Sequence, residues 1–328
     1  MNPQQILDYF KGRKESTVGL ISEFVNIESP SFDVARSKKA VDWLERNTSG
    51  ISPGFDTERI YAEGFGDHFK IRAFQNSDLK PIFILGHSDT VHPIGSIEKN
   101  PTRIENGKLF GCGTFDMKAN IVVMLEVFRF FTEHNLSPKR QINVLISCDE
   151  EVGSDTGRQH VEDEGRKAEY CFVFEPSAEG KVKTGRKGTG SYTLKTHGIP
   201  SHAGLDPEKG ASAILEISRQ IEKLHSLTDF SVGTTISVGM IKGGTAMNVV
   251  PAEAECSIDV RFETMDEANR IEHELGNLES FDKRVSLELL GAINRPPLER
   301  TDGVVDLFEK AKAAAQTFGY DLKETQVG

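Results

Sequence analysis

Along the first half of the chain, short apolar runs alternate with longer stretches whose apolar residues recur at helical spacing. Residues 6–26 and 34–47 carry that spacing, and 117–134 continues it with an apolar face of Ile121, Met124, Leu125, Phe128 and Phe131. Residues 81–85, 142–148 and 170–174 are shorter and richer in β-formers, so they read as buried strands. Strands alternating with helices predict an α/β domain: a mostly parallel sheet with helices on both faces.

The pattern then changes. Residues 191–197, 234–241, 253–261 and 285–290 read as strands, with amphipathic helices over 211–227 and 265–278. That β-α-β-β-α-β order is the ferredoxin-like unit. It predicts an inserted α+β domain at 182–292 between a first part at 1–181 and a return at 293–328. Turn-rich residues 184–188 and 294–297 mark its ends, and a further helix follows over 304–318.

Composition narrows the function classes. The 328 residues suffice for two domains, and 50 acids against 39 Lys and Arg give a net charge of −11. That balance argues against nucleic acid or an anionic membrane surface as partner. No run reaches the roughly 18 apolar residues of a membrane span. Residues 1–14 are polar and unlike a signal peptide, so the expectation is a cytoplasmic protein, and the two glycosylation sequons are chance matches. Cys112, Cys148, Cys171 and Cys256 show no metal-type spacing and read as free buried thiols.

Candidate chemistry gathers at the strand ends. The run 81–86 leads into His87-Ser88-Asp89, 142–148 into Asp149-Glu150-Glu151, and 171–174 into Glu175. Parallel sheets bind ligands beyond the carboxyl ends of their strands, so these segments should converge. Asp116 adds a carboxylate from a Gly-rich loop. One imidazole among several carboxylates calls for a cation, zinc first, with manganese and cobalt also suited. Asp89 stands where it can orient the ring of His87. Of the adjacent glutamates, one can bind metal while the other accepts a proton from water.

Each residue also has a plainer reading. Asp116 could cap the following helix, Arg261 could pair with Asp259 or Glu263, and His202 could be an ordinary loop residue. A dinucleotide loop at Gly111-Cys112-Gly113 is rejected, because Asp116 would repel pyrophosphate.

Taken together, Gly86-His87-Ser88-Asp89-Thr90-Val91, Gly111-Cys112-Gly113-Thr114-Phe115-Asp116-Met117-Lys118, Asp149-Glu150-Glu151-Val152-Gly153-Ser154 and Phe174-Glu175-Pro176 resemble the M20 family of dinuclear zinc peptidases. Ser201-His202-Ala203-Gly204, the stretch Gly243 to Pro251 and Asp259-Val260-Arg261 resemble its lid and dimerisation domain. The resemblance implies two zinc ions per subunit in a full-length chain, with His87 and Glu175 on one, Asp116 bridging and Glu151 on the second. It makes Glu150 the general base, has His202 stabilise the oxyanion in a partner subunit, and puts Asn248 and Arg261 on the substrate. It also implies a homodimer. The family's remaining histidine ligand follows a Gly-rich loop near the C-terminus, about where Glu324 to Gly328 stand, so the expectation is a truncated chain.

The expected function is metal-dependent release of a C-terminal amino acid, glutamate first, from a small peptide. An N-acyl-amino-acid deacylase is the alternative within the class. A non-catalytic dimeric binding protein on the same fold is the alternative outside it.

Overall fold

In the computed structural model, which describes residues 1–75 and 78–328, Asn2 and Gln5 cap each other's backbone across Pro3 and start helix α1 (Pro3–Gly12). The single helix expected over 6–26 is two. Gly12, a poor helix former, precedes a turn at Arg13, whose guanidinium is drawn to the buried Glu126, and α2 (Lys14–Val25) follows. Helix α3 (Val34–Ile51) starts at Asp33, which accepts a hydrogen bond from the Arg36 N–H. Next come β1 (Asp56–Ala62), β2 (Gly66–Ala73), β3 (Ile82–His87), a one-turn helix α4 (Ser96–Lys99) and a ribbon of β4 (Arg103–Glu105) and β5 (Lys108–Phe110). Helix α5 (Ala119–Glu133), β6 (Ile142–Ser147), α6 (Arg158–Lys167) and β7 (Tyr170–Val173) complete a first compact unit, Met1–Pro176.

Its sheet runs β1-β2-β6-β3-β7. The site-bearing strands β6, β3 and β7 are parallel, and the β1–β2 hairpin adds two antiparallel strands at one edge. That hairpin escapes a hydropathy reading because β1 is mostly exposed. Helices α2, α3 and α5 bury one face, where Phe24 stacks on Trp43 with ring centroids 4.4 Å apart. Alternation turns Lys70 and Asn143 to the opposite face, where Glu164 of α6 accepts from both, at 3.1 and 3.0 Å. Strand β7 lies at the sheet edge and alternates half-buried and exposed, so it is not the buried strand expected, and Cys171 on it is exposed.

The second unit, Ser177–Gly328, holds β8 (Val182–Arg186), β9 (Gly188–His197), β10 (Ser201–His202), α7 (Ala213–Ser226), β11 (Thr235–Gly243) and β12 (Val249–Val250). After them come β13 (Glu253–Phe262), α8 (Met265–Gly276), β14 (Ser286–Arg295), α9 (Asp302–Gln316) and β15 (Glu324–Val327). The four long strands form an antiparallel sheet in the order β11-β13-β9-β14, the ferredoxin-like arrangement. Every second residue of β13 is buried, including Cys256, Ile258 and Val260, in one cluster with Ile217 of α7 and Ile271 of α8. Strand β15 pairs in parallel with β8. Among the described residues, no helix is long and apolar enough to cross a membrane.

Candidate metal centre

His87 is the last residue of β3, Asp149 stands just past the end of β6, and Glu175 follows β7. Because β6, β3 and β7 are neighbours and parallel, their carboxyl ends lie side by side. Gly86 lets the turn that carries Asp116 come close, since a Cβ there would stand 2.7 Å from the Met117 Cε. Asp116 caps no helix: α5 begins at Ala119, and the Asp116 carboxylate faces His87 instead.

The ring of His87 is buried, and both of its nitrogens face acceptors. Nδ1 is 3.0 Å from the Asp89 carbonyl oxygen, which can only accept, so Nδ1 carries the proton. Nε2 faces Asp116 Oδ1 at 3.1 Å and Glu175 Oε1 at 3.4 Å, both acceptors as well. Such a contact needs a proton or a cation between the partners. Burial would lower the pKa of His87, but hydrogen bonds to Asp89 and Glu175 push it up to about 11. Glu151 is raised, first by burial and then by repulsion from Asp116 and Glu150, with His87 opposing. Against Asp116, Glu150, Glu151 and Glu175, a proton on His87 Nε2 supplies only a single positive charge.

Two groups of three could each hold an ion: His87 with Glu150 and Glu175, and His87 with Asp116 and Glu151. Within each group the ligand atoms lie within 4.8 Å of one another. One imidazole ringed by carboxylates suits a divalent cation such as zinc, which would take the place the missing charge demands.

The three consecutive acids divide their work by direction. Asp149 points inward and is wholly buried; its Oδ2 accepts from the Thr156 N–H and hydroxyl at 2.8 and 2.7 Å and from the Gly157 N–H at 3.2 Å. Behind Thr156 stands a neutral His68, whose pKa burial lowers. Its Nδ1 is 3.3 Å from the Cys148 N–H, and its Nε2 is 3.0 Å from Thr156 Oγ1. Glu150 and Glu151 are joined through their backbones to Asp89, the Glu150 N–H donating to Oδ1 at 3.2 Å and the Glu151 N–H to Oδ2 at 3.1 Å. Asp89 therefore holds the imidazole and both glutamates at once. Burial alone would raise its pKa, but His87, the Ser31 hydroxyl and the Glu151 N–H hold it below the ordinary range.

Other supports escape a reading of the sequence alone. Lys118, fully buried, donates to the Ile27 carbonyl at 2.6 Å from above the Phe24 ring, and burial pushes its pKa down to about 7. Asn120 donates to the Phe174 carbonyl at 2.7 Å, beside Glu175. Their place at the start of α5, Lys118 just before it and Asn120 its second residue, is the one signal that marks them.

In the second unit, β10 pairs with β12 and brings His202 beside Asn248: His202 lies opposite Val249, and the Ala203 N–H donates to the Asn248 carbonyl at 2.9 Å. His202 is exposed, its Nδ1 accepting from the Gly204 N–H. Arg261 on β13 makes two hydrogen bonds to Asp259, at 2.9 and 3.2 Å, so the ion pair weighed from strand alternation is present.

Comparison with known proteins decides the family. Residues 184–278 match the M20 model of a peptidase dimerisation domain. Succinyl-diaminopimelate desuccinylase from Nitrosospira multiformis is 30% identical over 270 residues, which are 76% of this chain and 68% of that one. The chain belongs to the M20 metallopeptidase family. This M20 chain is also 27% identical over 314 residues to carboxypeptidase G2 from Pseudomonas sp. (strain RS-16), across 94% of its own length and 75% of the relative's. Its fold is shared with aminopeptidase PepT from Bacillus cereus, with a TM-score of 0.75 at 22% identity over 96% of this chain and 85% of that one. M20 membership makes it a metal-dependent peptidase or amidohydrolase.

Proposed function

We infer that this M20 protein hydrolyses an amide bond whose departing amino acid keeps a free α-carboxylate. It releases a C-terminal residue, glutamate first, from a small peptide or N-acyl amino acid. One observation carries the reading: a single buried imidazole is shared by two three-donor groups, one with Glu150 and the other with the adjacent Glu151. Similarity to carboxypeptidase G2 along 94% of the chain supports the carboxypeptidase form.

In this reading His87, Glu175, Asp116 and Glu151 would hold two zinc ions, His87 and Glu175 serving one, Glu151 the other and Asp116 both. When bound, the ions supply Lewis acidity that makes water more acidic and polarises the scissile carbonyl. Glu150 takes the proton of the attacking water and delivers it to the amine that leaves. Asp89 keeps the proton on Nδ1 of His87, so that Nε2 stays a ligand. Arg261 trades Asp259 for the substrate carboxylate, gripping it with two parallel hydrogen bonds, while Asn248 binds beside it. The protein works as a homodimer through the matched dimerisation domain, and His202 donates to the developing oxyanion in the partner's site.

The test is metal analysis together with hydrolysis of acyl-glutamate amides, for the wild type and Glu150→Gln. The expected result is bound metal and, in a chain that carries the family's remaining histidine ligand, two ions and free glutamate as product. Glu150→Gln should keep its metal and lose turnover about 10²–10⁴-fold, the usual worth of a positioned acid–base group. Absence of both metal and turnover in the wild type would overturn the reading. The 30% identity to a desuccinylase favours a second form, deacylation of an N-acyl amino acid. Preferential release of a small acyl acid over glutamate would select it.

A further inference from the structure

The loop between α2 and α3 takes no part in the chemistry above, yet it is pinned to it throughout. The Ser29 hydroxyl donates to the Ser88 carbonyl at 2.6 Å, the Thr90 N–H donates to the Ser29 carbonyl at 2.9 Å, and Pro30 lies opposite Thr90 as in a parallel strand pair. Ile27 in the same loop receives the Lys118 ammonium. This pairing delivers the Ser31 hydroxyl to Asp89 Oδ2 at 2.7 Å, across 58 positions of sequence.

We propose that Ser31 is a positioning residue for the metal centre, fixing through Asp89 both the ring of His87 and the backbone of Glu150 and Glu151. The proposal rests on the metal-centre reading above. Asp89 Oδ2 has two donors, Ser31 and the Glu151 N–H; Oδ1 has the Glu150 N–H and lies 3.4 Å from His87 Nδ1. Ser31 and Asp89 are 5% and 1% exposed, so water has little access to replace a lost hydroxyl. A buried carboxylate deprived of a donor is driven to turn toward those that remain. A turn of the Asp89 carboxylate shifts both glutamate amides together and alters its 3.4 Å contact with His87 Nδ1, which keeps the Asp89 carbonyl at 3.0 Å. The Ser29 bonds go to backbone atoms and hold the loop. Ser31 holds a carboxylate.

The experiment compares wild type, Ser31→Ala, Ser31→Thr, Ser31→Cys and Val41→Ala, the last a core truncation in α3 that lowers stability without touching the site. Amide exchange of Glu150 and Glu151 is followed in the metal-free protein, and cobalt is titrated with its visible absorption as the signal. Ser31→Ala should speed exchange at those two amides about tenfold beyond Val41→Ala, as expected for a lost hydrogen bond to a charge. Ser31→Thr, which keeps the hydroxyl, should restore the wild-type rate. Cobalt affinity of Ser31→Ala should fall about 10–100-fold, the usual effect of losing such a support. Exchange in Ser31→Ala no faster than in Val41→Ala, or no rescue by threonine, would overturn the proposal. If Ser31→Ala does not fold, Ser31→Cys, similar in volume and a weak donor, carries the same comparison. A wild type that binds no cobalt would refute the metal reading, while the exchange rates still decide the role of Ser31.

Discussion

At Asp149, the first of three consecutive acids, the carboxylate turns away from its neighbours and into the protein. Its Oδ2 collects three donors from Thr156 and Gly157, while its Oδ1 is buried without a hydrogen-bond partner. Asp149→Asn keeps an acceptor for those three donors but removes the charge that strengthens them, and it buries an NH2 where Oδ1 has no partner. It should destabilise the protein by about 1–3 kcal/mol, read as a lower urea midpoint, and loosen the turn that carries Glu150. Gly157→Ala should act alike, since its Cβ would stand 3.0 Å from Asp149 Oδ1 and 3.3 Å from the His68 ring. His87, Glu150, Glu151 and Glu175 can be singled out from sequence because each follows closely on an apolar run. Ser31 cannot: a serine in a loop gives no sign of its purpose until folding brings it to a carboxylate 58 residues away. Lys118 is similar, since its burial depends on α2 packing over it.

At the level of elements, Glu126 of α5 joins helices far apart in sequence. Arg13, between α1 and α2, and Arg129 both bind it. Burial would raise its pKa, but the two guanidinium groups hold it below the usual carboxylate range. A carboxylate with a depressed folded pKa adds stability above its unfolded value, and that stability is lost as pH falls through the folded value. Wild type should therefore lose more stability than Glu126→Gln between about pH 7 and pH 3, and the variant should be the weaker of the two at pH 7. Denaturant titrations at the two pH values check both. The break between α1 and α2 is not visible in hydrophobic spacing, which continues across Arg13. It depends on the distant Glu126. The helices and strands of the second unit read more directly, because its sheet has one buried face and so keeps a strict alternation.

For the whole molecule, each unit has its own apolar cluster. Calorimetry should show two transitions. Added zinc should raise only the one that belongs to Met1–Pro176, by about 2.7 kcal/mol at a hundredfold excess over the dissociation constant. Protein concentration should raise only the other, if dimerisation works through residues 184–278. Strand β11 is an edge of its sheet and exposes Met240 and Ile241. An unpaired apolar edge invites a second chain, and a lysine there discourages it. Light scattering should give twice 36.3 kDa for the wild type and the single mass for Ile241→Lys.

The division into units also sets an order in time. His87, Asp89, Asp116, Glu150, Glu151, Glu175 and Ser31 all lie within Met1–Pro176. Chains fold domain by domain as they are made, at about 5–20 residues per second. Once residue 176 has left the ribosome, the proposed ligands His87, Asp116, Glu151 and Glu175 and their supports are already outside, while the dimerisation domain is still to be translated. In the proposed reading, the nascent protein would meet its first metal ion as a single chain, before any pairing of subunits.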